Sequence, residues 1–293
     1  MDRLEFGALV TILREDLRLT QAELAEKSGL DVAVISNVER GERRGLLKDG
    51  MLLKLATGLQ LTTLERREFF FAASGVSEKE VFRPGDETEI VKFDPENQFQ
   101  NIKDFVSCVQ IPTFVIDSYC DVLLANQCAI EFYDFPQSLI VAANDAIGGH
   151  NTMRLLFHPE SNFRRMVRND WEVHALINLR SFRRRILRYR HKKYAVDLMR
   201  EFLDNKKYPL FERYWRKMLF ETSDEVGNSI YLSESGVGCV GQESFLATTP
   251  YGEIYLYQLV PIKKQATQLF QKIMASVGEG CVEFAPFPDK RKL

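Results

Sequence analysis

The chain has 293 residues, 45% of them hydrophobic, with 39 basic and 41 acidic side chains and a formal net charge of −2. That length predicts two domains with ordinary cores, and the near-neutral balance excludes a non-specific nucleic-acid coat. No uninterrupted apolar run approaches the ~20 residues of a membrane span, and no charged-then-apolar signal opens the chain, so a cytoplasmic protein without a membrane partner is expected. Cys108, Cys120, Cys128, Cys239 and Cys281 are odd in number and scattered, with no CxxC pair. They read as buried thiols in a reducing compartment.

In chain order, Phe6, Leu9, Val10, Leu13 and Leu17 recur with the helical period and predict a first amphipathic helix. Thr20 and Glu23 have capping-box spacing, with Leu19 and Leu24 as a hydrophobic staple. Gly29 supplies a left-handed turn. Asp31 is expected to cap the next helix, with Leu30 and Ile35 as its staple. Leu24, Ala25, Ile35 and Val38 would pack the two helices together. A helical hairpin within a bundle accounts for that packing, but caps, staples, turn and core agree best with a helix-turn-helix, which lays its second helix in a DNA major groove. Met51, Leu52, Leu55, Ala56 and Leu59 mark a fourth helix. Thr62 and Glu65 open a fifth that ends near Gly75. Arg40, Arg43 and Arg44 follow the second helix of the motif and suit phosphates. Residues 1–75 hold 11 basic and 12 acidic groups. Affinity should therefore rest on few phosphate contacts per monomer, which favours a homodimer on a two-fold double-stranded DNA operator.

Over roughly residues 3–76 this arrangement resembles the Cro and phage-repressor type of helix-turn-helix, the XRE family, which has five helices in this order. The resemblance implies a phosphate contact at Gln21 and base-facing positions at Val32, Ala33, Ser36 and Asn37. Of these only Asn37 can make the bidentate contact that reads adenine. Val32 and Ala33 depart from the polar residues common there and are expected against a thymine methyl. Arg14 and Glu39 match a family salt bridge beneath the recognition helix.

The remainder divides sharply by charge. Residues 76–153 hold 4 basic and 13 acidic groups, residues 154–218 hold 18 and 7, and residues 219–293 hold 6 and 9. The stretch 77–97, rich in Glu, Asp and Pro, reads as a linker. Phe114–Ile116 and Val122–Leu124 read as two strands around an Asp117–Ser118 turn, and a helix near Asn126 carries Ala129, Phe132 and Tyr133. Helices follow at Met153–Pro159, from Trp171 to about His191, at Tyr194–Leu203 and at Pro209–Trp215. Strands return at Ser229–Ser235, Glu243–Thr249 and Glu253–Pro261, before a last helix from about Lys263 to Ala275.

The strand–turn–strand–helix opening resembles a PAS domain. Fused to an XRE domain, the whole order resembles the MmyB-like transcription regulators, on the loose motifs LLF-HP (155–159), Trp171 and Phe211 with Trp215. The expected fold class is thus α+β: a five-helix helix-turn-helix domain over 1–76, a linker over 77–100, a PAS-like domain with an antiparallel sheet and several helices over 101–277, and a tail over 278–293. The resemblance implies a ligand cavity, for which Phe114, Ile116, Leu123, Phe132, Tyr133, Trp171, Tyr255 and Tyr257 are the candidates, though any one of them serves equally as plain core. No cofactor or metal is expected. The implied effector is hydrophobic, and a fatty acid fits the density of aromatic side chains.

Two further signals need weighing. GVGCVG at 236–241 fits GxGxxG, but Glu243–Thr249 reads as a strand where a dinucleotide site needs a helix N-terminus, so a Gly-rich turn is the better reading. Arg180, Arg183, Arg184, Arg185, Arg188, Arg190, Lys192 and Lys193 interleave with Leu179, Phe182, Ile186 and Tyr189, whose spacing faces a core. The cations fit a solvated face with neighbouring acids, a second DNA surface, a match to the acidic linker, or an anion anchor. His150, His158, His174 and His191 lack metal-ligand spacing, and no GxSxG, Walker A or HExxH is present. The reading is a non-enzymatic, ligand-responsive transcription regulator. A DNA-binding interaction module without a ligand and an enzyme fused to a DNA-binding domain are the competing classes.

Overall fold

The computed structural model describes residues 1–42, 49–76, 94–134, 137–144, 146–147, 149–166, 171–220 and 240–292. Five helices come first: α1 (Arg3–Asp16), α2 (Gln21–Ser28), α3 (Val32–Glu39), α4 (Asp49–Gly58) and α5 (Thr63–Ala73). Capping boxes open α1, α2 and α5 through Asp2 with Glu5, Thr20 with Glu23, and Thr62 with Glu65. Gly29 ends α2 at φ +60°, a conformation that favours glycine. Asp31 takes the N-cap position of α3, but its side chain makes no capping hydrogen bond, which corrects the expected cap. Leu9, Val10, Leu24, Ile35, Leu55 and Leu59 are fully buried in one core. At Gly7 an added Cβ would lie 2.4 Å from the Glu39 carbonyl oxygen, so α1 crosses α3 at backbone contact.

The rest of the chain is built on a five-stranded antiparallel sheet in the order β3-β4-β1-β2-β5, giving an α+β fold. Its strands are β1 (Thr113–Asp117), β2 (Val122–Asn126), β3 (Val240–Thr249), β4 (Gly252–Pro261) and β5 (Cys281–Glu283). Asn126 caps the helix after β2, its side chain accepting from the Ala129 N–H at 2.9 Å. One sheet face carries Val115, Leu123, Leu124 and Ile254. It is covered by Phe99 and Val106 from α6 (Pro95–Cys108), and by Phe287. The other face meets a helical layer: α7 (Gln127–Tyr133), α8 (Gln137–Asn144), α9 (Thr152–Phe157), α10 (Phe163–Met166), α11 (Trp171–Ile186), a 3-10 turn (Leu187–Tyr189), α12 (Lys193–Phe202), α13 (Phe211–Phe220) and α14 (Lys264–Ser276).

Several differences from the sequence reading are local. Residues 95–100, read as linker, belong to α6, whose Phe99, Ile102 and Val106 form an apolar stripe. Residues 281–283, read as tail, pair with β2. The expected strand at 229–235 lies outside the described residues. Of the cysteines described, Cys120 and Cys128 are buried, but Cys281 is only half-buried and Cys108 is exposed, against the expectation of burial. The two cores also exchange side chains: Leu17, after α1, packs into the core beneath the sheet, and Leu187 packs into the core of the five helices.

Near the C-terminal end Lys292 enters a buried acidic cage. Its Nζ lies 2.5 Å from Asp117 and in contact with Asp121, 5.5 Å from the Tyr119 ring centroid and 5.0 Å from that of Tyr194. Burial pushes the Asp117 carboxyl up to about 6, Lys292 opposes the rise and Asp121 adds to it. A folded value above the ordinary 3.8 means that the stabilising contribution of Asp117 is full below about pH 4 and is lost as pH rises through 6. Lys292→Met removes the opposing charge and should raise Asp117 further. Its loss of stability in denaturant melts should then be about 1–2 kcal/mol larger at neutral pH than near pH 5. Equal losses at the two pH values would show that Lys292 does not set the ionisation of Asp117.

Candidate DNA-reading face and sensor cavity

In the helix-turn-helix, Val32, Ala33, Ser36 and Asn37 form one stripe along α3. Val32 is 46% exposed, Ala33 is exposed, and Ser36 and Asn37 are half-buried. The Asn37 Oδ1 accepts from Arg40 Nη2 at 2.8 Å, and Arg40 also pairs with Glu42 at 3.0 Å. Arg43 and Arg44 lie outside the described residues. Behind the stripe, Glu39 is almost sealed and triply held. Arg14 Nε donates to it at 2.6 Å, Arg14 Nη2 at 3.2 Å, and Gln21 Nε2 at 2.7 Å. Arg14 Nη1 donates further to the Leu19 carbonyl at 2.7 Å, tying the start of the motif to the end of the recognition helix. One N–H of the Gln21 amide is therefore committed to Glu39, leaving its second N–H, its amide oxygen and its backbone N–H for other partners.

Between the inner sheet face and the helical layer lies a cavity of about 440 Å³. Of the candidates, Phe114, Ile116, Phe132, Tyr133 and Tyr257 line it, with Phe114 stacked on Tyr257 at 5.2 Å. Leu123 does not. A regular hairpin would set it opposite Ile116, but a bulge after Val115 pairs Ile116 with Val122 and turns Leu123 to the far face. Trp171 does not either, because its ring packs edge-on against Phe157 and Tyr214 in the helical layer. Tyr255 shares a face with Tyr257 but is covered by the Arg185 guanidinium, 4.1 Å from its ring centroid.

The sequence reading missed a polar wall. His174, Asn178, Ser181 and Arg185 on α11 all face the cavity, at spacings of four, three and four that mark one side of a helix. Arg185 sits among the Cys120 thiol, 3.5 Å away, the Tyr257 hydroxyl and the Tyr255 ring, and its Nε has no hydrogen-bond partner. Among the described residues it meets no carboxylate. Burial raises the Tyr133 phenol well above its usual range and, with Arg154 nearby, lowers His150, so both wall groups are neutral at physiological pH.

The other cations of this segment face elsewhere. Arg183 pairs with Glu65 at 2.9 Å, Arg188 with Glu68 at 2.8 Å, Arg190 with Asp16 at 2.7 Å and Lys192 with Glu5 at 2.8 Å. Arg183, Arg188 and Arg190 are largely buried against acids on α1 or α5 and so are not a solvated face, whereas Lys192 and Glu5 form a solvated pair. Among the described residues no helix is long and apolar enough to cross a membrane, and no three potential metal ligands converge. After the GVGCVG stretch the chain continues as β3 and not as the helix a dinucleotide site requires.

A helix-turn-helix whose second helix keeps Val32 and Ala33 exposed, joined to an α+β domain with a cavity, is the build of a DNA-binding regulator with a built-in ligand-binding domain. A helix-turn-helix domain family matches residues 5–69, and the MmyB-like transcription regulator ligand binding domain matches residues 106–272. The chain belongs to the MmyB-like transcription regulators. Among solved structures, the restriction-modification controller protein C.AhdI from Aeromonas hydrophila is 40% identical over 23% of this chain and 94% of its own, with a TM-score of 0.21. No curated protein matches the chain significantly.

Two substitutions separate reading from scaffolding. Asn37→Ala should cost roughly 1–3 kcal/mol on duplexes selected from a random pool and change non-specific binding little. An unchanged selection profile would place the reading face elsewhere. Glu39→Ala strands Arg14 and should lower the stability of the five-helix bundle by about 3 kcal/mol, the lower end for a pair that is not wholly sealed. A thermal melt matching wild type would show that the pair carries no such weight.

Proposed function

We propose that this regulator senses a hydrophobic small molecule with an acidic head group, a fatty acid being the simplest, and reads a two-fold operator as a homodimer. The observation that carries the reading is Arg185: a guanidinium that meets no carboxylate among the described residues, set beside Asn178 and Ser181 in the polar wall of a cavity whose remaining lining is mostly aromatic and aliphatic, with Glu131 and Asp134 also on it. A desolvated cation in that position is costly until an anion meets it. The apolar wall of Phe114, Ile116, Val122 and Phe132 gives an acyl chain about 0.8 kcal/mol per methylene buried. A carboxylate on Arg185 would add ~1.5–3 kcal/mol, so the head group sets orientation and the chain supplies most of the affinity. To regulate, the molecule must bind one arrangement of the protein better than another, since equal affinity shifts nothing.

Calorimetric titration of myristic acid and of the alcohol of equal chain length tests this, with and without selected duplex DNA. The acid should bind the wild-type chain, and Arg185→Met should weaken the acid by about 10- to 100-fold while leaving the alcohol nearly unaffected. Absence of binding by both compounds would overturn the cavity as a lipid site. Equal affinities with and without DNA would overturn the switch.

A further inference from the structure

The helix that walls the cavity is also the helix that holds the DNA-binding part, and the two duties fall on opposite sides of it. Towards the cavity α11 presents Asn178, Ser181 and Arg185. Two residues before Arg185, the Arg183 guanidinium lies 2.9 and 3.0 Å from the two carboxylate oxygens of Glu65, with both side chains at or below 5% exposure. The 3-10 turn continues the seam. Leu187 is fully buried among the core residues of α1–α5, and Arg188 bridges Glu68 of α5 at 2.8 Å and Glu253 of β4 at 3.7 Å. Arg190 sets one nitrogen against both oxygens of Asp16, at 2.8 and 2.7 Å, and Lys192 reaches Glu5 at 2.8 Å.

We infer that α11 and the turn behind it are the element through which the state of the cavity is transmitted to the DNA-binding domain, by way of the ion pairs to Glu65, Glu68, Asp16 and Glu5. The inference rests on the cavity being a ligand site. Its physical basis is that a helix is stiff along its axis, so displacement of Arg185 by a head group displaces Arg183 and Leu187 with it. Glu65 cannot follow independently, because it also accepts the Thr62 backbone N–H at 2.9 Å as part of the box that starts α5. A buried ion pair tolerates little separation, since each partner would be left as a lone charge in a poor dielectric.

The placement of the seam also says what kind of signal passes. All four acids lie on α1 and α5, whereas Val32, Ala33, Ser36 and Asn37 lie on α3, where Val32 and Ala33 stay exposed while the seam is closed. The sensor therefore does not mask the reading face. It sets the attitude and rigidity of the helices that carry that face, which matters when two such faces must match two half-sites. A covalent route through residues 77–93 is the competing path.

Hydrogen–deuterium exchange of the full chain distinguishes the two without needing a ligand. Ser181→Phe fills the cavity from α11 with a side chain in place of an effector. It should change exchange in α5 and the C-terminal half of α1 by about fivefold or more in the otherwise wild-type chain. The change should vanish in a Glu65→Gln/Glu68→Gln background. Because that background could lose the bundle, Glu5→Gln/Asp16→Asn, which touches only the more open end of the seam, should reduce the change without abolishing it. Lengthening residues 77–93 by a Gly-Ser insertion should leave it intact. Unaltered exchange in α1 and α5 on Ser181→Phe would overturn the inference. So would the same change in all the ion-pair backgrounds, or its disappearance on linker insertion alone. A failed fatty-acid titration is a separate result, which bears on the effector and not on this coupling.

Discussion

The Glu65 carboxylate answers two demands at once. It closes the capping box of α5, and it neutralises Arg183, which arrives from 118 residues further along the chain. Both side chains are nearly sealed from water, at 5% and 3% exposure, and a charge at that depth is tolerated only while its partner stays in place. The pair therefore fixes α5 against α11, and the junction between the two halves of the chain is arranged around that fixed angle. α11 reaches the sheet as the cavity wall, and the turn after it reaches the five-helix core through Leu187. The +11 block of residues 154–218 is thus answered in part from the other end of the chain.

On the DNA side a second buried carboxylate plays the matching part. Glu39 closes the recognition helix and collects three hydrogen bonds from Arg14 and Gln21, while Gly7 lets α1 approach the last carbonyls of α3 at backbone contact. The recognition helix is held from behind by polar contacts and a missing side chain. On its outer stripe Val32 and Ala33 stay exposed, while Asn37 accepts from Arg40.

The helix-turn-helix was legible in the sequence because its signals are local. Thr20 with Glu23, Thr62 with Glu65, and Gly29 each act within four residues, so composition and spacing reveal them. The one failure there, Asp31, has the right residue in the right place and no bond, which spacing alone does not disclose. The sheet was legible as strands but not as a surface. The bulge after Val115 reverses the side on which Leu123 lies, and nothing in VLLAN announces it. The stripe of Phe99, Ile102 and Val106 on α6 was present in the sequence but lay behind an acidic, Pro-containing stretch that resembles a linker. The α11 cations were visible as a pattern of two faces. Their partners were not, because an ion pair leaves no mark on the sequence between its members.

Leu17 and Leu187 each finish a core that belongs to the other half of the chain. A chain divided between the two halves would put both leucines in water and leave a hole in each core, beside the acids and arginines of the seam. The boundary that sequence composition suggests near residue 76 is therefore crossed by core packing in both directions. Reader and sensor share core packing, so a single transition on heating or in denaturant is the expected outcome. Any molecule that binds the folded sensor then protects the reader by mass action as well, even where it never touches it.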